Sequence, residues 1–131
     1  METETRGRIL VVEDDDALAH VTRLLLESKG YGVRTESRGA KALGYAADHP
    51  IDLVILDLRL PDMSGYDVCK ELRRIQYPWV VPVLILTALH EPVDQLKGFA
   101  NGADAYLTKP CEPEELLRTI SLLLGEMSPS F

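Results

Sequence analysis

The stretch Ile51 to Gly65, IDLVILDLRLPDMSG, decides the fold of this chain. Its apolar run, Leu53 to Leu56, is followed at once by Asp57, and the turn-forming segment PDMSG closes the stretch. An apolar run without alternation is typical of a strand that is buried on both faces of a parallel sheet. Asp57 is therefore predicted at the carboxyl end of a central strand, where open α/β sheets place their chemistry. The alternative is that Asp57 only ends the strand.

The composition indicates one acidic domain. The chain has 131 residues, of which 46% are hydrophobic, and a formal net charge of −7. We therefore expect one compact core and no direct contact of this domain with nucleic acid. Cys69 and Cys111 do not make a disulfide framework, which favours a cytoplasmic location. No apolar stretch reaches membrane-spanning length, and the first residues lack the apolar core of a signal peptide.

Strand and helix patterns alternate five times along the chain. Strands are predicted at residues 8–12, 33–36, 53–56, 83–86 and 105–107, and helices at about 17–29, 40–48, 65–75, 92–100 and 113–124. This alternation predicts a flavodoxin-like α/β fold, with a parallel sheet in the order 2-1-3-4-5 and helices on both faces. Leu18, Val21 and Leu25 are predicted to form the apolar face of the first helix. Trp79, in the connector 76–82, is predicted to be a packing residue.

Polar side chains follow four of the five predicted strands. They are Glu13 and Asp14 after the first strand, Asp57 after the third, Thr87 at the end of the fourth and Lys109 after the fifth. The carboxyl ends of parallel strands meet at one edge of the sheet, so these five side chains are expected to converge. Such a convergence is the pattern of a functional site.

Four segments carry a resemblance to a known family: ILVVEDD, LVILDLRLPDMSG, VLILTA and GADAYLTKP. In this order and spacing they resemble the receiver domain of response regulators, the CheY-like family of two-component signalling. The resemblance covers residues 8–124, which leaves a disordered tail at 1–7 and a tail or truncated linker at 125–131. Either the chain is a single-domain regulator, or the domain belongs to a larger protein such as a hybrid kinase.

The resemblance implies roles for the converging residues. Asp57 corresponds to the phosphoacceptor, and Glu13 and Asp14 to the acidic pair that holds Mg²⁺, for which Mn²⁺ can substitute. The backbone carbonyl of Arg59 corresponds to a further metal ligand. This ligand set suits the metal, because hard divalent cations prefer oxygen ligands.

The remaining positions correspond to phosphate contacts and to a switch. Thr87 and Lys109 resemble the phosphate-contacting pair, and Thr87 with Tyr106 resembles the switch pair. The bond between Lys109 and Pro110 is cis in the family. One departure concerns the next position, where the family commonly has Phe and this chain has Cys111.

Two further positions resemble those that tune hydrolysis of the phosphoaspartate. They lie two residues beyond Asp57 and two beyond Thr87, and are Arg59 and Leu89. Neither side chain can accept a hydrogen bond from an attacking water, so a long-lived phosphorylated state is predicted. Alternatively, Arg59 points away and pairs with Glu13 or Asp14.

The resemblance also implies partners and an output surface. The phosphoryl donor would be a histidine kinase or a histidine phosphotransfer domain, and the chain would catalyse only its own phosphorylation and dephosphorylation. The helix from Pro92, the strand at Tyr106 and the last helix would form the output surface and allow a homodimer. No membrane partner is expected. The last helix is rich in apolar residues, which either face outward or pack in the core: Leu116, Leu117, Ile120, Leu122, Leu123 and Leu124.

Three other functions share parts of this pattern. A flavodoxin-type protein would need a phosphate loop rich in Ser, Thr and Gly after the first strand, but Glu13 to Asp16 would repel a phosphate there. An aspartyl phosphatase would carry a second Asp two residues after the nucleophile, at the position of Arg59. A pseudo-receiver, an interaction module that works without phosphorylation, stays open as the alternative function.

Overall fold

The computed structural model describes residues 6–75 and 80–126, in which five strands alternate with five helices. The elements are β1 (Arg8–Val12), α1 (Asp16–Ser28), β2 (Gly32–Glu36), α2 (Gly39–Asp48), β3 (Leu53–Leu56), α3 (Gly65–Ile75), β4 (Val83–Thr87), α4 (Pro92–Ala100), β5 (Ala105–Thr108) and α5 (Pro113–Leu123). The predicted alternation is confirmed. Within the described ranges, no helix combines the length and the apolar composition that crossing a bilayer requires.

The strands form one parallel sheet in the predicted order β2-β1-β3-β4-β5. β3 lies at the centre and is buried along its whole length. Its last residue, Leu56, lies opposite Val12 of β1 and Ile85 of β4. Because the central strands are in register, the residues that follow them meet at one edge of the sheet.

Apolar side chains cover both faces of the sheet. Successive strand residues point to opposite faces, so Val54 and Leu56 pack with α2 and α3, while Leu53 and Ile55 pack with α1 and α5. Cys69 of α3 is completely buried in the first of these layers. Burial raises the pKa of its thiol to about 11, so Cys69 is a core residue.

The buried face of α1 matches the predicted one only in part, because Leu25 packs against the core but the fully buried residues are others. The residues of this helix that are buried against the sheet are Ala19, Thr22 and Leu26. Val21, predicted on the apolar face, is 61% exposed. The helix carries two neighbouring apolar stripes, and periodicity alone does not choose between them. The stripe with the smaller side chains lies against the sheet, because Ala19 and Thr22 allow a close approach.

Most apolar side chains of α5 pack in the core. Leu116 and Ile120 are buried, and Leu117, Leu123 and Leu124 pack around them. Leu122 is 66% exposed. Of the two interpretations of this helix, packing in the core therefore describes all but one of its leucines.

Residues at both ends of the described chain contact each other. The guanidinium of Arg6 pairs with Glu126 at 2.9 Å, and the Tyr31 hydroxyl donates to the same carboxylate at 2.7 Å. Arg6 also lies over the Tyr31 ring. The rest of the two predicted tails, residues 1–5 and 127–131, and Trp79 lie outside the described residues.

The start of α3 packs directly on the end of β3. The Ser64 hydroxyl accepts the N–H of Tyr66 at 3.1 Å, which satisfies one free donor of the first helical turn. A Cβ atom at Gly65 would meet the carbonyl oxygen of Asp57 and lie 2.6 Å from the Cα of Leu58. Only glycine fits this approach, which fixes the backbone around Asp57.

We predict that Gly65→Ala destabilises the protein, while Gly44→Ala does not. Overpacking against a fixed backbone costs about 1–3 kcal/mol. Gly44 lies in α2 with nothing within 4 Å of an added Cβ, so Ala there should add about 0.5–1 kcal/mol of stability through helix propensity. Urea unfolding of both variants measures the difference. Equal stabilities would contradict the close approach at Gly65.

Candidate functional site

The structure brings the predicted polar residues together at the carboxyl edge of the sheet. Carboxylate oxygens of Glu13, Asp14 and Asp57 all lie within 4.8 Å of one another. Asp57 is 7% exposed and Glu13 is 6% exposed, whereas Asp14 lies at the surface. Two of the three carboxylates are therefore buried, which requires a compensating charge.

Lys109 supplies that charge. Its ammonium donates to Oδ2 of Asp57 at 2.7 Å and to Oε1 of Glu13. The lysine follows β5, and the Lys109–Pro110 bond that turns the chain there is cis, as the resemblance implies. One cation from the edge strand thus bridges carboxylates from β1 and β3.

The two buried carboxylates differ in their pKa values. Burial alone would raise the pKa of Asp57, but hydrogen bonds from Lys109 and from the Arg59 amide hold it below its ordinary value. For Glu13, burial outweighs the contacts with Lys109 and with the Asp15 amide, and its pKa is raised. Burial would lower the pKa of Lys109, yet its bonds to both acids raise it. Asp57 is consequently an ionised carboxylate beside a fixed cation.

The donor set fits a hard divalent cation. Glu13, Asp14 and Asp57 carry three formal negative charges and Lys109 one positive charge, which leaves −2. All three acids offer carboxylate oxygens, the ligands that Mg²⁺ prefers. One of them is at the surface, so a metal with several bound waters can be accommodated. These residues could therefore hold Mg²⁺ or Mn²⁺.

Thr87 and Tyr106 lie on one connected path. Thr87 is completely buried at the end of β4, and its hydroxyl accepts the N–H of Leu89 at 3.4 Å. The carbonyl of Leu89 accepts the Tyr106 hydroxyl at 2.7 Å. The backbone of Leu89 therefore joins the two residues of the predicted switch. No sequence pattern predicts this contact, because Leu89 takes part only through its main-chain N–H and C=O groups.

Gly98 is a second contributor that the sequence analysis missed. A Cβ atom there would lie 2.8 Å from Ile85 and 3.2 Å from the Tyr106 ring. It is the only residue of α4 that is fully buried. A glycine inside a predicted helix was the available signal, since glycine lowers helix propensity and needs a packing reason.

Arg59 lies beside the site with an exposed side chain. Its amide donates to Oδ1 of Asp57 at 3.1 Å. Its guanidinium makes no ion pair with Glu13 or Asp14, all three being described residues. The alternative prediction of such a pair is thus not what the structure shows.

Comparison with known families identifies the class of this protein. The family described as response regulator receiver domain matches residues 9–121. That match covers most of the chain, so the chain belongs to this family, as the sequence motifs predicted.

Individual relatives agree with this assignment. The chain is 43% identical over 117 residues to the DNA-binding dual master transcriptional regulator RpaA of Synechocystis, covering 89% of this chain and 48% of that protein. It is 40% identical to the alkaline phosphatase synthesis transcriptional regulatory protein PhoP of Bacillus subtilis, with the same coverage. The chain therefore spans about half the length of these curated relatives.

Solved structures share the fold. A CheY-like receiver domain protein from Methanospirillum hungatei superimposes with a TM-score of 0.86 at 29% identity, covering 92% of this chain and 94% of that chain. The receiver domain of the sensor histidine kinase PA1611 from Pseudomonas aeruginosa gives 0.84 at 32% identity, covering 91% and 98%. That structure is described with a magnesium ion coordinated in its active site cleft.

We predict that Lys109→Met destabilises the metal-free protein by about 3 kcal/mol, because it leaves buried carboxylates unpaired. The double variant Lys109→Met, Asp57→Asn should recover part of this loss. Lys70→Met, at an exposed position of α3, serves as the control and should change little. Urea unfolding in EDTA measures all three variants. A Lys109→Met protein as stable as the wild type would contradict the pairing.

Proposed function

We propose that this receiver domain accepts a phosphoryl group on Asp57 from a phosphohistidine, in a reaction that depends on Mg²⁺. The observation that supports this most directly is the ionised, buried Asp57 held by Lys109 beside two further acids. A structural ion pair would need one carboxylate for one lysine. The additional negative charge at the mouth of the site suits a metal and an incoming group.

The chain's own residues supply most of the chemistry. One Asp57 oxygen attacks phosphorus, and the new O–P bond forms as the P–N bond to the imidazole breaks. The imidazole leaves with the electron pair and takes up a proton from solvent. The Lys109 ammonium can bind one oxygen of the transferred phosphoryl group, and the Thr87 hydroxyl can donate a hydrogen bond to another.

Glu13, Asp14, Asp57 and the backbone carbonyl of Arg59 would hold the metal in this proposal. When bound, Mg²⁺ supplies positive charge that reduces repulsion between the acceptor and the phosphoryl oxygens. The partners would be a histidine kinase or a histidine phosphotransfer domain in the cytoplasm. The chain would act on no other substrate than its own phosphoaspartate.

Acetyl phosphate with Mg²⁺ should add one phosphoryl group to the protein, detected as intact mass. Asp57→Asn should abolish the modification and EDTA should prevent it. Asp48→Asn, at an exposed position at the end of α2, should be modified like the wild type. If the wild type gains no mass while remaining folded, the pseudo-receiver alternative is favoured instead.

The same proposal assigns the output to α4, β5 and α5. Exposed apolar side chains mark this surface: Val93, Leu96, Phe99 and Leu122. Phosphorylation would move Thr87 toward the phosphoryl group and, through Leu89, change how Tyr106 and α4 are held. A homodimer or a partner would then bind this surface.

Beryllofluoride, a phosphoryl mimic, should shift NMR signals of α4, β5 and α5 in a Mg²⁺-containing sample. Tyr106→Phe removes the hydroxyl that bonds to Leu89. We expect this variant to accept acetyl phosphate as before but to show smaller shifts in α4. Shifts confined to α1 and α2 would contradict the assigned output surface, and unchanged α4 shifts in Tyr106→Phe would contradict the role of its hydroxyl.

Arg59 and Leu89 would govern how long the phosphoryl group stays. The guanidinium of Arg59 forms no ion pair with Glu13 or Asp14, all three being described residues, so it can pair with a phosphoryl oxygen. Leu89 is half-buried in the loop after β4 and can shield the approach of water. Both effects favour a long-lived phosphoaspartate.

The double variant Arg59→Asn, Leu89→Glu should lose phosphate several times faster than the wild type. Its new side chains can accept a hydrogen bond from water and orient it toward phosphorus. Phosphate release after removal of acetyl phosphate gives the rates. Arg23→Asn with Leu24→Glu, the same two changes at exposed positions of α1, is the control. An unchanged rate in the first double variant would exclude the proposed role of Arg59 and Leu89.

A further inference from the structure

The β3–α3 loop, residues 57–64, is joined to the start of α2 by one side chain. Asp62 accepts the N–H of Gly39 at 2.8 Å with one carboxylate oxygen and the N–H of Ala40 at 2.9 Å with the other. These N–H groups are two of the donors that a helix leaves free in its first turn. Hydrogen bonds from the Ala40 and Gly39 amides lower the pKa of Asp62. An ionised carboxylate therefore connects the loop to a helix from another part of the chain.

The start of α2 has no cap from its own sequence. The residue before the helix is Arg38, whose side chain makes no capping hydrogen bond, both Arg38 and the helix being described. Residues that cap a helix start carry a short side chain with an oxygen, which arginine lacks. The first turn of α2 also has no acidic residue, although a negative charge there is favourable beside the helix dipole. Asp62 supplies both the acceptor and the charge from outside the helix.

An apolar contact beside these bonds fits the loop to α2. A Cβ atom at Gly39 would lie 2.5 Å from Cγ and 2.7 Å from Sδ of Met63. The Met63 side chain therefore packs directly on the helix backbone, and Gly39 is buried beneath it. Met63 also packs against the core on this side of the sheet. Two consecutive residues, Asp62 and Met63, thus attach the loop to α2 through a polar and an apolar contact.

The attached loop also carries Arg59. The Arg59 amide donates to Oδ1 of Asp57 at 3.1 Å, and its carbonyl is a ligand in the proposed metal site. Arg59 pairs with Ser64 in an isolated antiparallel bridge, which closes the loop on itself. Only two residues separate Arg59 from Asp62. The orientation of the Arg59 peptide group is therefore set together with the position of Asp62.

We propose that Asp62 is a positioning residue for the site at the carboxyl edge of the sheet. By bonding to α2, it orients the Arg59 peptide group, whose N–H binds Asp57 and whose carbonyl would bind the metal. The metal part of this inference rests on the proposed function. Among the described residues, the converging carboxylates are Glu13, Asp14 and Asp57, so Asp62 acts on the site from outside it.

Two variants that each remove one negative charge test the proposal on the intact chain. They are Asp62→Ala and, as the control, Asp67→Ala at an exposed position in the first turn of α3. In EDTA, Asp62→Ala should shift the NMR amide signal of Arg59 as well as signals at the start of α2. In a Mg²⁺ titration its affinity should fall about tenfold, as for groups that orient metal ligands. Asp67→Ala should change both little, and an equal loss of affinity in this control would overturn the proposal.

A second substitution separates positioning from helix capping. Arg38→Ser gives α2 a capping residue of its own. In the double variant Asp62→Ala, Arg38→Ser, the stability in urea unfolding should recover, but the Arg59 signal and the Mg²⁺ affinity should not. The single variant Arg38→Ser controls for the lost cation. Recovery of the signal and the affinity in the double variant would show that Asp62 only caps α2, which would overturn the proposal.

The metal-free measurement keeps this inference distinct from the proposed function. A wild type that binds no Mg²⁺ would contradict the proposed metal site. The Arg59 amide signal in EDTA would then decide the positioning role alone, because the bond from this amide to Asp57 needs no metal. An Arg59 signal that is the same in Asp62→Ala and in the wild type would overturn the role of Asp62.

Discussion

The ammonium of Lys109 between the carboxylates of Glu13 and Asp57 is the interaction on which the site depends. Its three residues follow three different strands and meet only when the sheet is assembled in its native order. Burying two carboxylates removes them from water at a free-energy cost that their attraction to Lys109 need not exceed. The cluster is therefore weak evidence that it stabilises the fold. The proposed function accounts for the cluster better, because the same arrangement keeps Asp57 ionised and adjacent to a cation.

Packing around the site is uneven, and it differs between the proposed acceptor and the proposed output surface. On one side, Gly65 lets α3 touch the backbone at Asp57, and the Arg59 amide fixes one carboxylate oxygen. On the other side, α4 buries only Gly98 and exposes Leu96 and other apolar residues. Elements with few buried contacts change position at low free-energy cost. Asp57, the proposed acceptor, is therefore rigidly placed, whereas α4 is held by few buried contacts.

The sequence predicted those parts of the structure that side-chain type and period determine. Uninterrupted apolar runs identify β3 and β4, and a polar residue after each run identifies the site edge, as at Asp57 and Thr87. The inward face of α1 was predicted only in part. Leu25 packs against the core but Val21 is exposed, since the small Ala19 and Thr22 are the residues that approach the sheet closely. The link through the Leu89 backbone could not be predicted, because main-chain groups are the same for every residue.

That link suggests how the two proposed roles of the site are joined. The Thr87 hydroxyl accepts the Leu89 N–H at 3.4 Å, a long contact, whereas the Tyr106 hydroxyl and the Leu89 carbonyl are 2.7 Å apart. A hydroxyl can accept one hydrogen bond while donating another. A phosphoryl oxygen on Asp57 can therefore engage Thr87 without displacing Leu89. In the proposed function, Thr87 moves and carries the Leu89 loop with it, so Tyr106 responds through a preserved bond. The coupling then requires a shift of one loop rather than the breakage of an interaction.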